Sequence, residues 1–228
     1  KSKPNKAIEF DTGMGLVTLA DEYERLSARN FEQELANQEL SRRQRVQIED
    51  AAGAMRMAST ISGNQVQSAA VTFRHLALLA QTKKSDEDVW RSLNDSGAVL
   101  TVTPQLQDRL DRMRYWIQSP HFPDEMRIQI LSQPSVDVIQ HFNEEEVNIL
   151  RALVVELSNC QWTKKDISAA IPRSIESLNV SHKWLAYKVA YLCLMGVEKG
   201  PRLAPILSEM DRNEIVSLLE SCIQILDS

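Results

Sequence analysis

Apolar residues recur at steps of three and four along nearly the whole chain, and this spacing constrains the fold more than any other feature. Leu16, Leu19, Tyr23 and Leu26 follow it; so do Leu106, Leu110, Met113 and Ile117; so do Val147, Leu150, Leu153, Val154 and Leu157. Such spacing lays an apolar stripe along one face of an α-helix, whereas a half-buried strand needs strict alternation. Alternation is confined to a weak stretch at Val99-Leu100-Thr101-Val102. Glycine points the same way: 7 of 228 residues is about 3%, under half the usual share of about 7%. That is too few for a fold rich in tight hairpin turns. The pattern predicts an all-α chain, an irregular helical bundle or α-helix cage of about ten helices.

Residues that start and stop helices sharpen this. Ser85 with Asp88, Asn143 with Glu146 and Asp211 with Glu214 have capping-box spacing. A side-chain oxygen there can accept from the unpaired amides that open a helix. Pro104 and Pro123 suit a first turn. Gly97 and Gly196 follow apolar helical runs and fit the left-handed position after a helix. Pro172 ends or kinks the helix begun near Lys164. The predicted helices are 14–36, 40–58, 66–82, 86–96, 104–118, 123–132, 144–159, 164–171, 173–179, 182–195 and 212–226. No period of 20–50 residues repeats, so no solenoid is expected. Helix signals lapse from Gly97 to Thr103 and again at Ser119-Pro120-His121-Phe122-Pro123.

Length and charge exclude whole classes. A chain of 228 residues holds one large or two small domains. No apolar run approaches the ~18 residues of a membrane span. Lys1-Ser2-Lys3-Pro4 carries neither an initiator Met nor an apolar signal region, so the sequence reads as a piece of something longer. Cys160, Cys193 and Cys222 are odd in number and lack metal spacing, which fits a reducing cytoplasm. The net charge of −5, from 26 basic and 31 acidic residues, argues against indiscriminate coating of nucleic acid. The 43% apolar content argues against bulk disorder.

No catalytic constellation is visible. There is no glycine-rich phosphate loop, and His75, His121, His141 and His182 form no i, i+4 pair around a glutamate. No residue is assigned a catalytic or metal-ligating role. Asp21-Glu22 and Glu144-Glu145-Glu146 read as solvated faces and first-turn charges that the helix dipole favours. Cys160 and Cys193 lie in apolar helices and read as core thiols. Arg42-Arg43-Arg45 reads as a solvated helix start. Local basicity against an acidic whole does stand out. Arg173, Lys183, Lys188, Lys199 and Arg202, with His182, face only Glu176 and Glu198 in that stretch, and Trp184, Tyr187 and Tyr191 are interleaved. Basic groups neutralise phosphates and exposed aromatics stack on unpaired bases. The same three aromatics step by three and four on one helix face, and spacing alone favours reading that face as core.

Three ordered segments carry more. The first is Lys3-Pro4-Asn5-Lys6-Ala7-Ile8-Glu9-Phe10-Asp11, followed by Leu19-Ala20-Asp21-Glu22-Tyr23-Glu24-Arg25-Leu26. The second is Phe73-Arg74-His75-Leu76-Ala77-Leu78-Leu79-Ala80-Gln81, followed by a helix with Trp90 and Leu93. The third is Tyr191-Leu192-Cys193-Leu194-Met195-Gly196-Val197-Glu198-Lys199-Gly200-Pro201-Arg202. In this order they resemble the C-terminal half of class I lysyl-tRNA synthetase. Arg114-Tyr115-Trp116-Ile117 and Phe122-Pro123-Asp124-Glu125 resemble a helix and the turn after it in the same family. The resemblance covers nearly the whole chain.

What the resemblance implies is specific. Residues 1–70 would be a helical stem-contact region, and 71–228 an α-helical anticodon-binding domain. The parent would be a lysine–tRNA ligase that uses ATP on a Rossmann domain with HIGH-like and KMSKS-like motifs. Neither motif occurs here, so this chain is expected to carry no catalytic residue and no cofactor of its own. The missing Met would then mark a cut just after the catalytic domain. The expected partner is tRNA(Lys), bound by a cytoplasmic monomer with no membrane contact. Arg74, Lys188, Lys199 and Arg202 are the implied contacts to RNA backbone or base edges, and Trp184 or Tyr187 the implied stacking residues. For Arg74 and His75 the alternative is that one or both only pair with helix termini inside the fold. Val197 stands where the family often has Lys, which removes one expected phosphate contact. Two rival readings remain. One is the equivalent region of a glutamyl-tRNA synthetase, whose first two segments fit less well. The other is a helical protein-interaction module using the Trp184 face as a partner groove.

Overall fold

The computed structural model describes residues 13–59, 71–178, 180 and 182–227. Twelve α-helices run through them: α1 (Met14–Ser27), α2 (Phe31–Leu35), α3 (Arg42–Ser59), α4 (Phe73–Thr82), α5 (Asp86–Asp95), α6 (Pro104–Gln118), α7 (Val136–Ile139), α8 (Glu144–Asn159), α9 (Lys164–Arg173), α10 (Leu185–Met195), α11 (Leu203–Ser208) and α12 (Arg212–Leu226). Among the described residues there is no strand, so the chain is all-α as the spacing predicts. The alternating stretch 99–102 is a loop.

Side-chain caps set most helix starts. Thr72, Ser85, Thr103, Asn143, Thr163 and Asp211 each accept from the amide three residues on. Asn143 and Glu146 form the full reciprocal box, because the Glu146 carboxylate also accepts from the Asn143 amide at 3.1 Å. Such caps are worth about 1 kcal/mol each.

Several expected boundaries are corrected. The expected helix 14–36 is two, because Asn30 caps α2 by accepting from the Gln33 amide. The expected helix 66–82 begins at Phe73, where Thr72 is the cap, and residues 60–70 lie outside the described ones. The expected helix 123–132 is only a 3-10 turn at Asp124–Met126. Beyond it the Gln81 side chain takes the backbone: its Nε2 donates to the Met126 carbonyl at 3.2 Å, and its Oε1 accepts from the Ile128 amide at 2.9 Å. The Leu131 amide then donates to the Leu194 carbonyl at 2.8 Å. With its polar groups satisfied from outside, the segment has no need of helix. Pro172 falls in the last turn of α9, which runs to Arg173; turns and a bend over 174–178 replace the expected helix 173–179, whose last residue lies outside the described ones. The expected helix 182–195 begins at Leu185, with Trp184 as its cap residue. The short helices α7 and α11 were not expected.

Two apolar clusters hold the molecule. The larger packs Ile149, Leu150, Leu153 and Leu157 of α8 against α10 and against Ile215, Leu219 and Cys222 of α12. α10 is its central rod, with eight of its eleven residues buried. The smaller joins Val71, Leu76, Leu79, Val89, Leu93, Leu110 and Met113 from α4 to α6. Each fully buried Leu or Ile contributes about 1.5–3 kcal/mol over an exposed one. All three cysteines are free and buried, so Cys160 and Cys193 are core thiols as expected. The boundary expected at residue 70 falls where nothing is described; the two clusters meet near Met126 and Ile128. No helix of the described residues is long and apolar enough to cross a membrane.

Candidate nucleic-acid interface

The third sequence segment builds one corner of the molecule. α10 ends at Gly196 in the left-handed conformation, φ +70°. An L side chain there would strain the backbone by about 1–2 kcal/mol. The chain then doubles back, and the Tyr191 hydroxyl lies 2.7 Å from the Pro201 carbonyl oxygen and 3.0 Å from that of Gly200. Gly200 sits against the Tyr191 ring: a Cβ would come within 3.2 Å of it. Burial, with the neighbouring Tyr187 as a lesser cause, holds the Tyr191 hydroxyl protonated above its ordinary range. Tyr191 therefore belongs to the core and fastens the turn that presents Arg202 at the start of α11.

The other two aromatics of that face lie outside the core. Trp184 is 56% exposed and Tyr187 36%, against 9% for Tyr191. Reading the whole face as core thus holds for one ring of three. The returning chain explains the split: the Gly200–Pro201 turn packs on Tyr191, whereas Trp184 is the cap residue of α10 and Tyr187 lies in its first turn, away from that turn.

Lys188 is placed inward. Its ammonium donates to Glu146 Oε1 at 2.9 Å, lies 3.8 Å from Glu198 Oε1 and sits 5.9 Å from the Trp184 ring centroid. The buried Glu146 accepts from it and holds the Lys188 ammonium charged to higher pH than usual. Arg74 is also engaged. Its guanidinium donates to Asp21 from Nε at 2.8 Å, with Nη2 at 2.7 Å, and its side chain stays half exposed. One residue before it, the Phe73 amide donates to Glu24 at 2.5 Å. The Leu19–Leu26 and Phe73–Gln81 segments therefore lock each other, and Arg74 pairs with a carboxylate in the middle of α1 rather than with a helix terminus. The segment Lys3–Asp11 lies outside the described residues.

Lys199 and Arg202 are exposed and have no partner among the described residues. Between α9, α10 and the start of α11 lies a groove of about 710 Å³, bordered by Arg202, Tyr187, Tyr191, Lys164 and Lys165. Lys164 and Lys165 escaped the sequence reading. They look like the solvated first turn of a capped helix, and only the packing of α11 on α9 brings them beside Arg202. A second groove of about 640 Å³ carries Lys199 with Asp124, Glu125 and Arg127.

No protein-family model matches the chain. Curated proteins do. It aligns with the lysine–tRNA ligase of Picrophilus torridus at 24% identity over 226 residues, 97% of this chain and 40% of the relative. The lysine–tRNA ligase of Thermococcus kodakarensis is 27% identical over 241 residues, covering 96% of this chain and 41% of the relative. That of Archaeoglobus fulgidus is 27% identical over 211 residues, covering 91% and 36%. The relatives are lysine–tRNA ligases. The match runs nearly end to end along this chain, in agreement with the resemblance carried by the three ordered segments. The chain spans about 40% of the length of the curated relatives it matches.

Proposed function

We propose that this chain is the tRNA-gripping, non-catalytic part of a lysine–tRNA ligase, and that it recognises the anticodon region of tRNA(Lys). The end-to-end match to lysine–tRNA ligases carries this reading. The geometry supplies a surface: partnerless Arg202 shares a groove with Tyr187, partnerless Lys199 lines a second groove, and Trp184 is exposed at the start of α10. Unpaired loop bases can be splayed, stacked on such rings and read along their edges, while cations set the register on phosphates. The parent would be a class I enzyme of the cytoplasm, acting as a monomer. It would activate lysine with ATP in a part upstream of this one. A glycine-rich loop or KMSKS-like motif to cradle the nucleotide has no counterpart in this sequence, so no step of that chemistry is assigned to its residues. The groove beside Tyr187 adds three cations and no acid to its apolar lining, which favours RNA over a protein partner.

Titration of the chain with tRNA(Lys) at low salt tests this. Arg202→Ala and Lys199→Ala should each weaken binding about five- to tenfold, and raised salt should weaken the wild type steeply. Equal affinity of the wild type and both variants would sink the assignment.

A further inference from the structure

Four surface grooves differ sharply in charge. Those around Lys199, around Trp90 and around Arg74 each mix carboxylates with cations. The groove between α9, α10 and α11 has Lys164, Lys165 and Arg202 on its walls and no acid, with Arg202 on the ridge it shares with the groove around Arg74. None of the three cations has a partner among the described residues. Clustered like charges repel, and an acidic chain with carboxylates to spare leaves these three unpaired.

A second observation points the same way. Lys164 and Lys165 occupy the first turn of α9. The positive end of the helix dipole disfavours cations there and favours anions. The nearby Asp166 does not face them freely; its carboxylate takes the Thr163 hydroxyl at 2.5 Å. Two lysines in that turn run against the dipole, and Asp166, already held by Thr163, is the one acid of the turn set against them. A bound anion would satisfy them, Arg202 and the dipole together.

The groove also has an aromatic wall. Tyr187 is 36% exposed, while the Tyr191 hydroxyl is taken by backbone carbonyls. Its volume of about 710 Å³ lies within the roughly 300–1,000 Å³ of small-ligand pockets. We propose that it holds a single unstacked nucleotide of an unpaired RNA strand, with the base on Tyr187 and the flanking phosphates on Lys164, Lys165 and Arg202. This rests on the RNA-binding reading above and adds to it two lysines that lie outside the sequence motifs.

The test uses the chain with four probes: tRNA(Lys), an RNA hairpin with a seven-nucleotide loop, the same length of fully paired RNA, and inorganic phosphate as competitor. The double variant Lys164→Gln/Lys165→Gln should bind the hairpin about tenfold more weakly. Its slope of log affinity against log salt should be shallower by about 1.4, the share of two single-strand phosphates. Tyr187→Leu should cost about tenfold on the hairpin and nothing on the paired RNA, and Tyr187→Phe should restore binding. Unchanged circular dichroism confirms that these exposed positions fold normally. Hairpin binding that Lys164→Gln/Lys165→Gln and Tyr187→Leu both leave intact overturns the groove while sparing the RNA-binding reading. A Tyr187→Leu loss equal on both RNAs, or displacement of the hairpin by millimolar phosphate, also overturns it. A wild-type chain that binds tRNA(Lys) no better than paired RNA removes the underlying reading as well.

Discussion

Lys188 shows how a basic residue beside two exposed rings can serve the fold rather than a ligand. Its ammonium answers Glu146, whose other oxygen accepts from the amide that opens α8. Glu146 is buried and the Lys188 side chain is only 20% exposed. Removing the cation strands a carboxylate in a low-dielectric site, where loss of one partner costs on the order of 3 kcal/mol. Lys188→Ala should therefore shift the urea midpoint markedly, and Lys188→Ala/Glu146→Gln should recover much of the loss. A shift no larger than the few tenths typical of surface lysines would refute this placement. Arg74, half exposed and paired with Asp21, is the contrasting case: its pair is screened by water and worth about 0–1 kcal/mol.

At the scale of elements, α10 and the turn after it act as a single presenting device. Tyr191 holds the Gly200 and Pro201 carbonyls, Gly200 leaves room for its ring, and Arg202 opens α11. Tyr191→Phe keeps the ring and loses the hydroxyl, at a cost of about 1 kcal/mol in stability. tRNA affinity should fall further than this destabilisation explains, because Arg202 is no longer held in register. Measured affinity at a temperature where both proteins remain folded checks it; an unchanged constant would make the hydroxyl purely structural. Helix ends were legible wherever their chemistry is local. Ser85, Asn143 and Asp211 cap three residues ahead, and Gly196 terminates α10 as its position predicts. The segment after Met126 was not legible, because a glutamine more than 40 residues upstream takes its backbone. Of the candidate contacts, Lys199 and Arg202 could be read from local charge. The split between Tyr191 and its two neighbours could not, since periodicity reports a face and not which part of it the chain folds back to cover. Lys164 and Lys165 carry no signal in sequence; only α11 packed on α9 gives them company.

On the scale of the molecule, the two apolar clusters are joined by a polar clasp around Glu209, just past α11. Lys83 at the end of α4 donates to its carbonyl at 2.5 Å and approaches its carboxylate at 3.1 Å. Ser92 of α5 donates to the same carboxylate at 2.8 Å, and His75 Nε2 faces it at 3.9 Å. Three residues of the smaller cluster's helices thus converge on one carboxylate of the larger body. First His75, then Ser92 and Lys83, favour the ionised form and outweigh burial, so the Glu209 carboxyl is held down at about 2. A carboxyl depressed in the folded state adds stability that is whole above its ordinary value near 4.5 and disappears as pH falls to about 2. Glu209→Gln should accordingly be less stable than the wild type by about 2 kcal/mol at pH 7. The gap should narrow as pH drops below 4.5 and close near pH 2, within the range where both remain folded enough to measure. The same clasp fixes how α4 and α5 sit on α11, so loosening it should raise amide exchange at Ser92 and Met210 before it reaches the α8–α10 core. A stability gap that stays constant from pH 7 to pH 3 would show that the Glu209 side chain acts through packing and not through its charge.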